Sequence, residues 1–402
     1  MKYKTYNCNS FNIYTIKTDR FKTSHLEVIF KNVLKKEEIG TYSFLADMLS
    51  EGCKKYPRKK DLITRFEELY KIVIYASTMR VGNVIDLHFS LDFINPEYIE
   101  DEGYIEDVIK TLFEVILNPN VCNDEFDLKT FNIVKERLRR EINSLKENPV
   151  KQSIKEAIKT MDSNSPTSYE ILGTIEELEN ITPAKLYNAY KSLRKNFKVD
   201  VFLIGNLDMD NVASLIKKYF KNRYIVSDNF EVMVDNKETK KVKEKAMKSD
   251  NIQTNLVMLF NLKNLSELEK NITLNCFNYL YGSGGLTSKL YKSIREENSL
   301  CYAINSMYLK YDKLLMVQIS LDNCNVKKAI SLVKKELKSM QNGNFSEEEV
   351  RDAINNMVIS LDMSLDNNIA ILNNYVFNIY DKLPSIEERK EYFKKLTKED
   401  IV

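Results

Sequence analysis

Two side chains that can bind an oxygen atom lie in a glycine-rich stretch of the second half of the chain. The segment YGSGGLTSKLYKSIREENSLCYAINS, residues 281–306, contains Arg295 and, seven residues later, Tyr302. A guanidinium and a phenol both donate hydrogen bonds, and an oxygen that gains negative charge in a reaction accepts them. These residue types are compatible with the binding of a substrate oxygen. A solvated Arg295 paired with Glu296 or Glu297, and a Tyr302 buried in the core, stay open as alternatives.

The same stretch begins with Gly282, Ser283, Gly284 and Gly285. A run of this kind indicates either a loop whose backbone approaches a ligand or a plain hinge between helices. A phosphate-binding loop is excluded, because the pattern G-x-x-x-x-G-K-[ST] is absent.

Metal chemistry has little support, because His25 and His88 are the only histidines. Most zinc hydrolases need at least two histidine ligands and a carboxylate. The two histidines lie in the alternating runs SHLEVIFK and VIDLHFSLDF, and their spacing fits no helical or tight-loop metal motif. We expect packing or surface histidines on two strands.

Composition excludes several other classes of protein. Hydrophobic residues make up 43% of the 402, which is ordinary for a folded chain, and the net charge of +2 gives no strong field for nucleic acid or a membrane surface. No stretch approaches the ~20 apolar residues of a membrane span, and residues 1–12 lack the apolar core of a secretory signal. The six scattered cysteines contain no C-x-x-C pair, which is typical of reduced thiols. We therefore expect a cytoplasmic protein with no nucleic-acid or membrane partner. The lysine-rich stretch at 240–248 does not argue for nucleic-acid binding, because its lysines are interleaved with Glu and lie in the charged segment at 226–250.

The elements that must position these residues alternate between strands and amphipathic helices. Alternating runs predict strands over residues 13–15, 26–30, 85–93, 198–204, 255–260, 306–309 and 314–321. Apolar residues at helical spacing predict helices over residues 44–49, 61–70, 104–117, 126–145, 184–193 and 209–220.

The two halves of the chain resemble each other. SHLEVIFK in the first half resembles TNLVMLFN in the second, and LHFSLD resembles VQISLD. The distance along the chain from each run to its counterpart is the same for both, which indicates an internal repeat. Residues 226–250 are highly charged and lack periodic apolar positions, which indicates a linker, although a long surface loop within one domain is the alternative. The sequence thus predicts an α+β protein with homologous domains at 1–225 and 251–402, each a mostly antiparallel sheet packed with helices. The helix and strand at 184–204 have no counterpart before Val402, so we expect the second domain to be truncated; a second sheet that lacks a strand is the alternative.

Two segments resemble the insulinase/pitrilysin family of zinc peptidases. The run GTYSFLADMLSEGCKKYP, residues 40–57, is similar to the family's zinc helix, whose motif reads H-x-x-E-H. In that comparison Ser43 and Asp47 replace the two histidines, and Ala46 replaces the catalytic glutamate. On a later helix Glu141, in FNIVKERLRREINSL, is the best match to the third ligand, though it lies farther from Asp47 than in active members. The resemblance implies a degenerate motif that binds no metal.

The glycine-rich stretch resembles the family's segment F-G-G-G-x-S-S-R-L-F-x-x-I-R-E-x-x-G-L-A-Y. Arg295 and Tyr302 match an Arg/Tyr pair that binds the backbone carbonyl of the substrate beside the zinc of the other half. In the family a substrate strand also adds to the edge of the first sheet, and residues 76–79 are a possible edge here or an ordinary strand and turn. Residues 52–57 and 69–71 resemble inactive bacterial members linked to modification of elongation factor P, with Lys71 where glycine is usual.

The resemblance implies a non-catalytic subunit of a metallopeptidase heterodimer. Arg295, Tyr302 and the residues at 282–285 would hold peptide for a partner subunit that carries H-x-x-E-H and the zinc. This chain itself would need no cofactor. The alternative is a non-enzymatic peptide-binding or scaffold protein, such as one that serves elongation factor P modification.

Overall fold

The chain folds into two compact units that interleave along the sequence. The computed structural model describes residues 1–221, 224–226, 230–237, 241–248 and 251–402. The first unit contains Met1–Ser144, Tyr169–Val232 and Asn368–Asn373, and the second contains Leu145–Ser168, Met233–Asn367 and Asn374–Val402. The predicted linker at 226–250 lies partly outside the described residues. Its described part changes from the first unit to the second after Val232.

The first unit is built on a six-stranded, mostly antiparallel sheet. Its strands, in spatial order, are β1 (Lys2–Asn7), β2 (Asn12–Lys17), β8 (Lys198–Gly205), β3 (Thr23–Val33), β5 (Val84–Ile94) and β4 (Val73–Val81). A small hairpin of β6 (Val121–Cys122) and β7 (Glu125–Phe126) stands apart from it. The residues of β3 from Ser24 to Lys31 are all buried, so both faces of this central strand are covered. Leu26, Val28 and Phe30 alternate along it on the face that packs into the apolar core.

Helices bury that face of the sheet. Those assigned largely to the first unit are α1 (Ile39–Leu49), α2 (Lys59–Glu68), α3 (Tyr104–Leu117), α4 (Leu128–Glu147), α6 (Ile175–Glu179), α7 (Pro183–Asn196) and α8 (Met209–Tyr219). The Thr182 side chain accepts a hydrogen bond from the backbone N–H of Lys185, and Pro183 occupies the first turn of α7. Helix α1 buries nearly every residue, so its positions 43 and 46 lie in the interior of the unit.

The second unit repeats this plan around a three-stranded antiparallel sheet. Its strands, in spatial order, are β10 (Cys301–Leu309), β11 (Leu314–Leu321) and β9 (Thr254–Asn261). Its helices are α5 (Pro149–Met161), α9 (Leu274–Asn278), α10 (Val326–Gln341), α11 (Glu347–Ser364), α13 (Ile386–Lys395), α14 (Lys398–Ile401) and most of α12 (Asn368–Asp381), with π-helical turns at Glu269–Thr273, Tyr279–Ser283 and Tyr291–Glu296. Helix α5 precedes the linker in sequence, yet it packs on β9.

Matching backbone bonds in the two units support the predicted repeat. The N–H of Leu34 donates to the carbonyl oxygen of Asn83 at the β4–β5 turn, and that of Leu262 donates to Lys313 at the β10–β11 turn, both at 2.8 Å. Each bond ties the end of one strand to the turn of the hairpin beside it. The predicted α+β class is confirmed. Among the described residues, none of the helices is long and apolar enough to cross a membrane.

Candidate functional site

Helix α1 lies along the edge strand β4, and polar side chains join the two. The hydroxyl of Ser43 donates to the carbonyl oxygen of Ile171 at 2.5 Å, so the hydroxyl of Thr78, 2.7 Å away, is the donor to Ser43. At the end of the helix the Ser50 hydroxyl accepts from the backbone N–H of Ala76 at 3.0 Å. Ser43, which stands at the first histidine position of the motif, is therefore buried and engaged in the fold.

The second histidine position is occupied by an ion-paired carboxylate. Arg137, on α4, lies 3.2 Å from Asp47 and donates to Glu51 at 2.8 Å. Burial raises the pKa of Asp47 above its ordinary value, and the attraction of Arg137 only partly opposes this. The guanidinium thus supplies the positive charge that two neighbouring carboxylates require.

These residues do not fit a zinc ion. Ala46 is buried and offers no donor or acceptor on its side chain, while Ser43 and Asp47 are held by Thr78 and Arg137. Glu141 lies one helical turn beyond Arg137 and is exposed. Throughout the described part of the chain, no group of three or more His, Cys, Asp or Glu side chains has the geometry to hold a metal ion.

Strand β4 forms one edge of the first sheet. It pairs with β5 on one side, and within the described residues no strand pairs with its other side. Its outward side chains Val73, Tyr75 and Met79 are exposed by 40% or more. The stretch at 76–79, identified from sequence as a possible edge, lies in this strand.

Arg295 and Tyr302 meet on the surface of the second unit. Arg295 donates from Nη1 to the carbonyl oxygen of Tyr302 at 2.8 Å and lies over the ring of Tyr291. Tyr302 is 53% exposed, and its hydroxyl donates to Asp322 at 3.2 Å. In the described residues Arg295 makes no ion pair with Glu296 or any other carboxylate. The two alternatives considered from sequence, an ion-paired Arg295 and a Tyr302 buried in the core, therefore do not describe this fold.

A β-bulge places Tyr302 in this position. Cys301 pairs with Leu321 and Ala303 pairs with Ser320, so Tyr302 is the extra residue between them. A bulge leaves one residue without a partner on the next strand and redirects its side chain. The carbonyl oxygen of Tyr302 accepts the hydrogen bond from Arg295.

The glycines before Arg295 have different structural roles. A Cβ on Gly282 would lie 2.5 Å from the Ser306 hydroxyl, and one on Gly284 would lie 2.6 Å from the carbonyl oxygen of Tyr279. Gly285 has a φ of +61°, with open space around it. Gly282 is buried, whereas Ser283 and Gly285 are exposed. Only the exposed part of the run is accessible to a ligand.

The structure also contains a buried polar cluster that the sequence did not reveal. Glu27 lies between the two histidines, 3.3 Å from His25 Nε2 and 3.3 Å from His88 Nδ1, and Asp92 lies 2.7 Å from His25 Nδ1. The available signal was the alternation of β3 and β5, which puts these residues on one face once the register is known. His25 and His88 are on strands, as predicted.

Burial and hydrogen bonding compete in this cluster. Burial disfavours the charged imidazolium of His25, but hydrogen bonds to Asp92 and Glu27 outweigh it and raise its pKa to about 9. The same balance raises the pKa of His88. Burial alone would raise the pKa of Glu27, and the two histidines instead lower it.

Comparisons with known proteins agree with these features. Residues 180–357 match the family described as the peptidase M16 inactive domain. Over 340 residues the chain is 26% identical to "Probable inactive metalloprotease YmfF" of Bacillus subtilis (strain 168), covering 83% of this chain and 78% of that protein. The chain is therefore similar to M16 peptidases of the inactive type. The predicted resemblance to the zinc-free members of the insulinase/pitrilysin peptidases is confirmed.

Solved structures share the fold of this chain. A conserved protein from Enterococcus faecalis V583 superposes with a TM-score of 0.92 at 22% identity, covering 99% of this chain and 94% of that one. A peptidase M16 inactive domain from Pseudomonas fluorescens gives 0.78 at 18% identity, covering 100% and 94%. A chain of complex III2 from Candida albicans gives 0.74 at 15% identity, covering 99% and 91%.

Proposed function

We propose that this chain is the zinc-free subunit of a cytoplasmic M16 metallopeptidase and holds peptide for a partner subunit that bears H-x-x-E-H. The observation that carries the proposal is a contrast between two sites. The motif positions Ser43 and Asp47 are bound to groups of their own unit, whereas Arg295 and Tyr302 are exposed side by side. Zinc would be supplied by the partner alone.

The geometry of Arg295 and Tyr302 suits an oxygen ligand. One N–H of the guanidinium is used by the Tyr302 carbonyl, which fixes the direction of the side chain and leaves its other N–H groups to a ligand. The stack on Tyr291 holds the guanidinium from a second direction. A peptide carbonyl or carboxylate placed here meets preoriented donors, and such donors stabilise an oxygen that gains charge.

The edge strand β4 supports peptide binding in a second place. An extended peptide that pairs with a sheet edge gains main-chain hydrogen bonds, and its side chains meet those of the edge strand. The exposed Tyr75 and Met79 offer apolar contacts of this kind. This observation also favours the second candidate function, a peptide-binding or scaffold protein that captures a client, such as one serving elongation factor P modification, without cleavage.

A mixing experiment tests the first candidate. The chain is combined with the H-x-x-E-H protein encoded by a neighbouring gene, and cleavage of a quenched fluorescent peptide library is followed. We expect turnover only in the mixture, and we expect Arg295→Ala to lower kcat/KM by about 100- to 1,000-fold, as for loss of one oxyanion donor. Arg351→Ala, at an exposed arginine of α11, is the matched control and should leave turnover unchanged.

The outcome separates the two candidates. Unchanged turnover of the Arg295→Ala mixture would show that the role assigned to Arg295 is wrong. A client that co-purifies with the chain, together with no cleavage in any mixture, would establish the scaffold function instead.

A further inference from the structure

Every charged side chain on the exposed face of helix α10 is a lysine. We call this set the lysine face, and its members are Lys327, Lys328, Lys334, Lys335 and Lys338. The single carboxylate of the helix, Glu336, is buried, and Ala329, Val333 and Met340 anchor the opposite side in the core of the unit. The face therefore carries five positive charges on a chain whose net charge is +2.

No carboxylate compensates these charges. Within the described residues, none of the five lysines forms an ion pair, whereas nearby Lys289 and Lys292 both pair with Glu349. Like charges one turn apart, such as Lys334 and Lys338, destabilise a helix slightly. The arrangement thus costs stability in the isolated chain and is relieved by an anionic partner.

The lysine face is not a consequence of the fold or of a lysine-rich composition. Helix α3 holds the equivalent place in the first unit, directly after its hairpin. Its charged residues are Glu106, Asp107, Lys110 and Glu114, which give it a net negative charge. The repeat therefore tolerates either sign at this helix, and in the second unit its exposed charged side chains are all lysines.

The lysine face begins beside the Arg295–Tyr302 site. Asp322, just before α10, accepts the hydrogen bond of the Tyr302 hydroxyl, and Asn325 donates to the carbonyl oxygen of Leu300 at 3.3 Å. From Lys327 to Lys338 the helix rises roughly 16 Å, at about 1.5 Å per residue. A peptide held at Tyr302 can therefore continue along the face for about five extended residues.

The chemistry of the face favours an acidic polypeptide. A nucleic-acid surface usually combines arginines or aromatic side chains with lysines and a strongly basic domain, but this face has neither, and the isoelectric point is about 8.0. A membrane-binding helix turns apolar side chains outward, and those of α10 point into the core. A row of flexible ammonium groups instead matches a row of Asp or Glu side chains.

We propose that the lysine face extends the peptide site and selects acidic peptides. The proposal rests on the proposed function, in which Arg295 and Tyr302 hold peptide. Glu296 and Glu297 follow Arg295 directly and Asp322 lies at the Tyr302 hydroxyl, whereas the positive charges lie beyond Asp322 along α10. Acidic side chains of the peptide are therefore bound on the α10 side of Tyr302.

Binding of three labelled peptides to the full chain tests the proposal. They have one sequence of about 15 residues in which alternate positions are Glu, Gln or Lys, and their fluorescence anisotropy is read at low and at about 300 mM salt. We expect the Glu peptide to bind at least about tenfold more tightly than the Gln peptide at low salt, with the preference lost at high salt. The double variant K334E/K335E should abolish that preference.

The control variant K129E/K146E makes the same charge change at exposed lysines of α4 and should keep the preference. Equal binding of the three peptides, or equal loss in both variants, would overturn the proposal. So would tighter binding of a single-stranded RNA or of phosphatidylserine vesicles through the same lysines.

The peptide test and the mixing experiment can contradict the two proposals separately. If Arg295→Ala abolishes turnover while K334E/K335E leaves the charge preference unchanged, the lysine face is wrong and the proposed function stands. If K334E/K335E removes the preference while Arg295→Ala has no effect on turnover, the role of Arg295 is wrong and the acidic-peptide surface stands.

Discussion

Glu27 is shared by the only two histidines of the chain, and this makes the stability of the first unit depend on pH. The pKa of His25 is raised to about 9 in the folded state by Asp92 and Glu27. A raised pKa means that the imidazolium is stabilised by folding. Its contribution is complete below about pH 6.5, where the unfolded histidine is also charged, and is lost as the pH rises through about 9.

We therefore predict that thermal stability declines between about pH 6.5 and pH 9 and that His25→Gln flattens this decline. The contribution of His25 is on the order of 3 kcal/mol, from a shift of 6.5 to about 9. Unfolding followed by circular dichroism across this range measures it. Parallel curves for the wild type and the variant would show that His25 does not carry the dependence. Below about pH 4.5 both should lose stability, since folding lowers the pKa of Glu27.

At the scale of elements, the turn before Arg295 depends on a close approach of backbone to strand β10. Gly282 touches Ser306 of that strand, and a Cβ at 282 would also lie 2.8 Å from Leu290. We predict that Gly282→Ala lowers the free energy of unfolding by about 1 to 3 kcal/mol, because the neighbours are buried and must shift. Chemical denaturation measures the loss.

Gly103→Ala is the matched control for this variant. The nearest atom to a Cβ at 103 is a carboxylate oxygen of Asp101 at 3.5 Å, an ordinary contact. If both variants cost the same, the close packing at Gly282 is not what requires a glycine there.

Sequence patterns predicted the presence of strands and helices better than the residues at which they begin and end. The alternating run predicted a strand from residue 306, whereas β10 begins at Cys301. The bulge at Tyr302 turns two successive residues outward, and this breaks the period of two on which the prediction relied. The helix predicted over 61–70 ends at Glu68, since Tyr70 and Lys71 have positive φ angles of 58° and 62°. Lys71 thus adopts a conformation that favours glycine, which is usual there in the members it resembles.

At the scale of the molecule, the arrangement of α1 and α4 determines the expected metal content. We predict that the purified chain carries no stoichiometric zinc, because Ser43 and Asp47 bind Thr78 and Arg137 and position 46 has no ligand atom. Elemental analysis after dialysis measures it, with a zinc peptidase that carries an intact H-x-x-E-H motif as the zinc-bearing control. One tightly bound zinc per chain would contradict the prediction.

The assembly of the two units was only partly foreseeable. The repeat and the α+β class followed from alternating runs that recur at a constant separation. The sequence gives no sign that α5 packs on β9 or that residues 368–373 join the first unit. A strand pattern records which face is buried, but not which distant helix buries it.

The amino-acid sequence by itself determined which metal ligands the segment at 40–57 lacks, since no fold can supply imidazoles to a helix without histidine. It also located Arg295 and Tyr302 and the glycines before them. Only the tertiary structure decided what replaces the lost ligands, because Arg137 reaches Asp47 from another helix. The sharing of Glu27 by two histidines depends in the same way on the register of β3 against β5. Residue types are fixed along the chain, whereas charge compensation is set by contacts between segments far apart in it.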